Sequence, residues 1–82
     1  MEFTTEKIDK IVSFKTIKDK DKISRLLEID ATQYTNLGID SSKRAKSKVK
    51  RNSRYIYRAI QELDYEMGTK FLLYQDKYKK LS

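Results

Sequence analysis

Between Asp40 and Glu62 the chain carries Lys43, Arg44, Lys46, Lys48, Lys50, Arg51, Arg54 and Arg58 and not one carboxylate. The rest of the chain is balanced: all twelve acids lie outside this stretch, together with the remaining eleven of the nineteen basic residues. The net charge of +7 therefore originates in one segment. Like charges held this close repel each other, and an anion relieves them. A solvated helix face normally mixes both signs, so a block of one sign points to a phosphate backbone. Long Lys and Arg side chains follow phosphates, while Ser47, Asn52 and Ser53 offer short hydrogen bonds.

Aromatic residues are interleaved with these cations. Arg54-Tyr55-Ile56-Tyr57-Arg58 sets two guanidinium planes beside two phenols. Unpaired bases stack on such groups, the usual way protein meets single-stranded or looped RNA. Burial against neighbouring helices is the competing role for the tyrosines and the commoner one for aromatic side chains. The expected RNA contacts are Lys43, Arg44, Lys46, Lys48, Lys50, Arg51, Arg54, Tyr57 and Arg58.

Other chemistry finds little footing. The chain has no histidine and no cysteine, which removes the commonest general base, the thiolate nucleophile and the usual metal ligands. Asp19, Asp21, Asp30 and Asp40 lack the spacing of a calcium loop. Asp64 and Glu66 are two apart and cannot face each other on a helix. No catalytic residue, metal site or cofactor is assigned, and the expected function is not enzymatic. Apolar runs are two or three residues long, so neither a membrane span nor a signal-peptide core is expected, and the compartment reads as cytoplasmic. Binding to a membrane surface is disfavoured because the stripe opposite the charges starts with Ala45, Val49 and Asn52, which offer no bulky insertion group.

The elements that must position the cations are helical. Proline is absent and glycine occurs only at Gly38 and Gly68, too little turn chemistry for a sheet with several hairpins. The 82 residues make one small domain, 1–82, of the all-α class, with two short N-terminal helices and one long basic amphipathic C-terminal helix. Thr4 is the expected N-cap of the first, with Phe3 and Ile8 as its hydrophobic staple and Ile8, Ile11, Val12 and Lys15 on one face. Alternation of Val12, Phe14 and Thr16 also permits a short strand over Ile11–Ile17, but no partner strand is available. A second helix begins near Lys18–Asp21 and presents Ile23, Leu26, Leu27, Ala31 and Tyr34. It ends at Asn36-Leu37-Gly38-Ile39, with Gly38 in a left-handed C′ position and Ile39 folding back on Tyr34. Asp40, Ser41 and Ser42 are three successive N-cap positions for the next helix.

From Ala45 the apolar stripe runs through Val49, Asn52, Ile56, Ile60, Leu63, Met67, Phe71, Tyr74, Tyr78 and Leu81 at the α-helical period. One helix from about Ser42 to Lys80 would be roughly 57 Å long, with Gly68 as its weak point for a kink or break. Two short helices cannot cover such a stripe, so a homodimer is expected. On the same helix Lys43, Ser47, Lys50, Arg54, Arg58 and Gln61 form one electropositive ridge, with Tyr57 and Tyr65 at its margin.

Leu26 to Ser42 followed by a basic helix resembles a helix-turn-helix in outline, which implies a DNA-binding regulator. However, Arg44 and Ser47 stand where that motif docks apolar residues, and Tyr34 stands where it wants a small one. The Arg/Lys ridge is more similar to an arginine-rich RNA-binding helix, which favours RNA, single-stranded or structured, over DNA. The usage of Phe, Tyr, Met, Ile, Asn and Lys over Gly, Ala, Arg and Pro reflects A/T-rich codons. With the lack of cysteine and the small size, the chain resembles small basic early proteins of A/T-rich tailed phages. Among these it is similar to the RNA-binding inhibitors of host endoribonuclease toxins. That resemblance implies a counter-defence role in the host cytoplasm and a host protein, such as a ribonuclease toxin, as a partner beside RNA. A fainter likeness is to helical-hairpin sponges of cyclic-nucleotide signals, whose second helix would span Asp40-Ser41-Ser42 through Arg58-Ala59-Ile60. The alternative in another class is a protein–protein inhibitor that docks its basic face on a host enzyme without RNA.

Overall fold

A computed structural model describes residues 3–37 and 42–79, and all regular structure among them is α-helical. The helices are α1 (Thr5–Ser13), α2 (Asp19–Thr35), α3 (Lys43–Leu63) and α4 (Tyr65–Lys79). Each start has a local cause. Thr4 is extended, and its Oγ1 accepts the Lys7 N–H at 3.1 Å, satisfying a donor that the first turn of α1 leaves open. Asp19 and Asp21 supply negative charge at the first turn of α2, where Lys18 gives no side-chain cap. Ser42 caps α3 by accepting the Ala45 N–H at 3.1 Å. No strand forms over Ile11–Ile17, because α1 runs on to Ser13.

Buried Ile8 and Ile11 of α1, Ile23, Leu26 and Ile29 of α2, and Ile56, Ala59 and Ile60 of α3 make one core. The inner face of α2 is rotated from the expected one. Asp30 is buried while Ala31 and Tyr34 are exposed, because Asp30 finds hydroxyl partners across the core. Lys22 is buried as well, and its Nζ donates to the Val12 carbonyl at 2.8 Å. Its aliphatic stem packs inside while its ammonium closes one of the last carbonyls of α1. The expected positions of Gly38, Ile39, Asp40 and Ser41, the Tyr78 side chain and Leu81 lie outside the described residues.

The single long C-terminal helix is not what forms. The chain breaks at Asp64, whose backbone is extended (φ −145°, ψ 98°), and turns back so that α4 packs along α3. Asp64 is one residue serving two helices. Its N–H donates to Ile60 O at 2.7 Å, closing α3, and its Oδ1 accepts the Met67 N–H at 3.1 Å, capping α4. The break therefore precedes Gly68, which lies inside α4 and is buried. Gly68 lies against the backbone of α3: a β-carbon there would lie inside contact distance of Gln61 Cα, N and Cβ, the last at 2.5 Å. Fold-back also disposes of the continuous stripe. Ile56 and Ile60 are fully buried and Phe71 packs against the core, but Met67 and Tyr74 are exposed. The C-terminal half of α3 is covered by α4 of the same chain, so the stripe's length no longer argues for a second copy.

Candidate nucleic-acid interface

The core face of α3 ends at Ser53, and of the ten residues before it, Lys43 to Asn52, only Ala45, Val49 and Asn52 are even partly buried. Lys43, Arg44, Lys46, Lys48, Lys50 and Arg51 are all exposed on this half of the helix. Arg58 is exposed farther along, whereas Arg54 and Tyr57 are half-buried. The continuous ridge does not survive intact, because α4 lies against its C-terminal part. Gln61 Nε2 donates to Thr69 Oγ1 at 2.9 Å, Gln75 Nε2 donates to Lys50 O at 2.8 Å, and Arg54 Nη1 pairs with Asp76 Oδ1 at 2.8 Å. One cation of the ridge thus already faces an acid. Both groups are about half exposed, so the pair is solvent-screened and weak.

The tyrosines divide by their neighbours. Tyr55 points to α1, donating to Asp9 Oδ1 at 2.6 Å and meeting Phe3 edge-on with centroids 6.1 Å apart. The Asp9 hydrogen bond holds its phenol above the ordinary pKa. Tyr57 stacks on Phe71 of α4 with centroids 5.1 Å apart, and its hydroxyl donates to Asp30 Oδ2 at 2.7 Å. Burial first, then the Asp30 carboxylate, pushes its phenol far above the usual tyrosine range. Ser53 donates to the other oxygen of Asp30, which commits its only proton, so the Tyr34 hydroxyl 3.3 Å away donates to Ser53 Oγ. A buried carboxylate thereby fixes three hydroxyl side chains from two helices.

These contacts frame a cavity of about 700 Å³ between α3, α4 and the end of α2. Four aromatic side chains, Tyr34, Tyr57, Phe71 and Tyr74, line it, and Lys50, Arg51 and Arg54 contribute the cations. Of the nine expected contact residues, the fold brings Lys50, Arg51, Arg54 and Tyr57 to this cavity and leaves Lys43, Arg44, Lys46, Lys48 and Arg58 outside it. Arg58 instead lines a smaller cavity of about 370 Å³ with Asp9 and Glu62. Sequence reasoning missed Tyr34, Phe71, Tyr74 and Asp76 as members of the site. The available signal was Asp64, a good N-cap followed by Glu66, which marks a helix start inside an otherwise unbroken period.

Comparison of the chain with protein-family models, with curated proteins and with solved structures finds no match. Among the described residues, no helix is long and apolar enough to cross a membrane, and no group of side chains could hold a metal ion.

Proposed function

We propose that this chain is a non-enzymatic RNA-binding protein whose contact surface is the cationic N-terminal half of α3. The observation that carries the reading is the acid-free segment itself: eight cations between Asp40 and Glu62, seven of them exposed. Phosphate contacts would position the strand, and the neighbouring aromatic rings favour unpaired RNA over a duplex, whose bases are stacked away from protein.

Filter binding of the purified protein to mixed single-stranded and hairpin RNA tests this. If about six phosphates are neutralised, the log–log slope of affinity against salt is roughly −4 for single strands. Asp76→Asn should strengthen binding and steepen the slope by somewhat less than one unit, because Arg54 is released from its ion pair. Arg44→Glu with Arg51→Glu should weaken binding steeply while leaving helicity nearly unchanged, since both side chains are exposed on that half of the helix. Absence of binding at low salt would refute the RNA reading and assign the basic face to an acidic protein surface.

A further inference from the structure

We propose that the cavity between α2, α3 and α4 is a binding site for one nucleotide unit, its base held among the aromatic rings and its phosphate by the cations at the rim. This rests on the RNA reading for the base of a bound strand. The same chemistry would also take a free mononucleotide.

Four properties of the cavity point to that ligand. Its volume, about 700 Å³, falls within the range of small-molecule sites. Its walls bring aromatic rings from three helices together, and two of them are open: Tyr34 is 44% exposed and Tyr74 is 59% exposed. Planar rings offered to solvent beside guanidinium groups form the platform on which bases stack, and every base has such a face. The rim sets Lys50, Arg51 and Arg54 against a single acid, Asp76, so a phosphate is attracted to the aromatic opening itself. The last property is an acceptor. Gln75 lines the cavity, its amide orientation is fixed by donation to Lys50 O, and its Oε1 is buried without a hydrogen-bond partner. A buried amide oxygen in that state suits an N–H donor, and each nucleobase carries one.

The wall is also held in advance. Tyr57 cannot swing freely, because Phe71 stacks on it and Asp30 accepts its hydroxyl, while Tyr34 is tied through Ser53 to the same carboxylate. A site so fixed loses little freedom when filled. The smaller cavity at Arg58 is a useful contrast: among the described residues Asp9 and Glu62 outnumber its one cation, and Tyr55 is its only aromatic ring, so it offers an anion little.

The test pairs two strands and two variants of the full chain. A labelled ten-nucleotide single-stranded RNA and the same backbone with abasic riboses are titrated by fluorescence anisotropy, with parallel amide NMR titrations using each of the four ribonucleoside monophosphates. Tyr74→Ala should weaken the base-bearing strand roughly tenfold, leave the abasic strand and the salt slope unchanged, and be rescued by Tyr74→Phe. Tyr74 lies on the surface, so its removal should not unfold the chain, and circular dichroism checks that. Shifts at Tyr34, Tyr57 and Gln75 on adding RNA alone place a strand base in the cavity; the same shifts with micromolar monophosphate identify a free nucleotide as the ligand. If RNA binds but Tyr74→Ala weakens both strands equally or neither, with the cavity resonances unmoved, the cavity proposal is overturned and the RNA reading stands. If neither strand nor any monophosphate moves a resonance, both fall together.

Discussion

Gly68→Ala separates two opposed physical expectations. Alanine in a helix interior is favoured over glycine by about 1 kcal/mol, so in a continuous, solvated helix the change would stabilise. In the folded-back arrangement the added methyl meets the backbone of Gln61, which cannot rotate aside as a flexible side chain would. The two helices must move apart by a substantial fraction of an ångström. Overpacking of this kind costs about 1–3 kcal/mol. Separation also loosens the Tyr57–Phe71 stack and the Gln75–Lys50 hydrogen bond, each worth roughly 1 kcal/mol. With those two contacts weakened by about half, and against the gain of about 1 kcal/mol in propensity, the net loss should be about 1–3 kcal/mol. Urea denaturation followed by circular dichroism reads it directly: with a slope of about 1 kcal/mol per molar, the midpoint should fall by roughly 1–3 M. A midpoint that rises instead would refute the hairpin, because only a glycine with open space around it gains from a β-carbon. Light scattering on the same samples adds a second reading, since a straight helix would leave its apolar stripe to a partner.

Ile56→Ala should cost about 2–5 kcal/mol, because the side chain is fully buried at the centre of the core; a change of a few tenths in chemical denaturation would mean that the helix phase is wrong. Lys22→Met keeps the buried stem but removes the donor to Val12 O, and should cost about 1–3 kcal/mol with faster hydrogen exchange at the end of α1; unchanged exchange would show that water serves that carbonyl equally well. The Tyr57 phenol is raised above its unfolded value, so its contribution is fully present below pH 10 and is lost as pH rises beyond it, where only the unfolded chain gives up the proton. Stability measured from pH 9 to 11 should therefore fall, and Tyr57→Phe should flatten that part of the fall; an identical profile in the variant would refute the linkage.

The helical class, the Thr4 cap and the burial of Ile56 and Ile60 were legible, and the cap of α3 was narrowed to Asp40, Ser41 or Ser42, because each depends on a residue and its neighbours within a turn or two. The break at Asp64 left only a faint local mark, the Asp64 cap followed by Glu66, and the apolar period overrode it. The apolar period passes through 64 without a change of phase, so periodicity alone predicts one helix where two form. What decides the matter is tertiary: Gly68 presents no side chain to Gln61, and Gln75, Asp76 and Phe71 then find partners on α3. Pairings of this kind lie 14 to 25 residues apart in sequence and leave no local trace. The same holds for Asp30, whose burial is explained only once Ser53 and Tyr57 arrive from α3. The basic segment was visible at once as charge, but its division into an exposed half and a half in contact with α4 follows from that fold-back.

Residues 43–51 depart from the local electrostatic rules further than the start of any other helix. The first turn of α3 has no acid and carries Lys43, Arg44 and Lys46, although the positive end of the helix dipole disfavours cations there. The other three helices each set acid there, Glu6 in α1, Asp19 and Asp21 in α2 and Glu66 in α4, so that the lysines of those first turns are offset. Each misplaced cation costs a few tenths of a kcal/mol in the free protein, and mutual repulsion adds to it. Nothing in the core repays this, since the segment lies beyond Ser53 and buries little. Local choices that oppose the fold are expected where function requires them. A phosphate backbone reverses the sign of every one of these terms at once, because it meets the dipole's positive end and the cations together. The unfavourable electrostatics of the free helix and the proposed affinity for RNA are then the same property, measured without and with the anion.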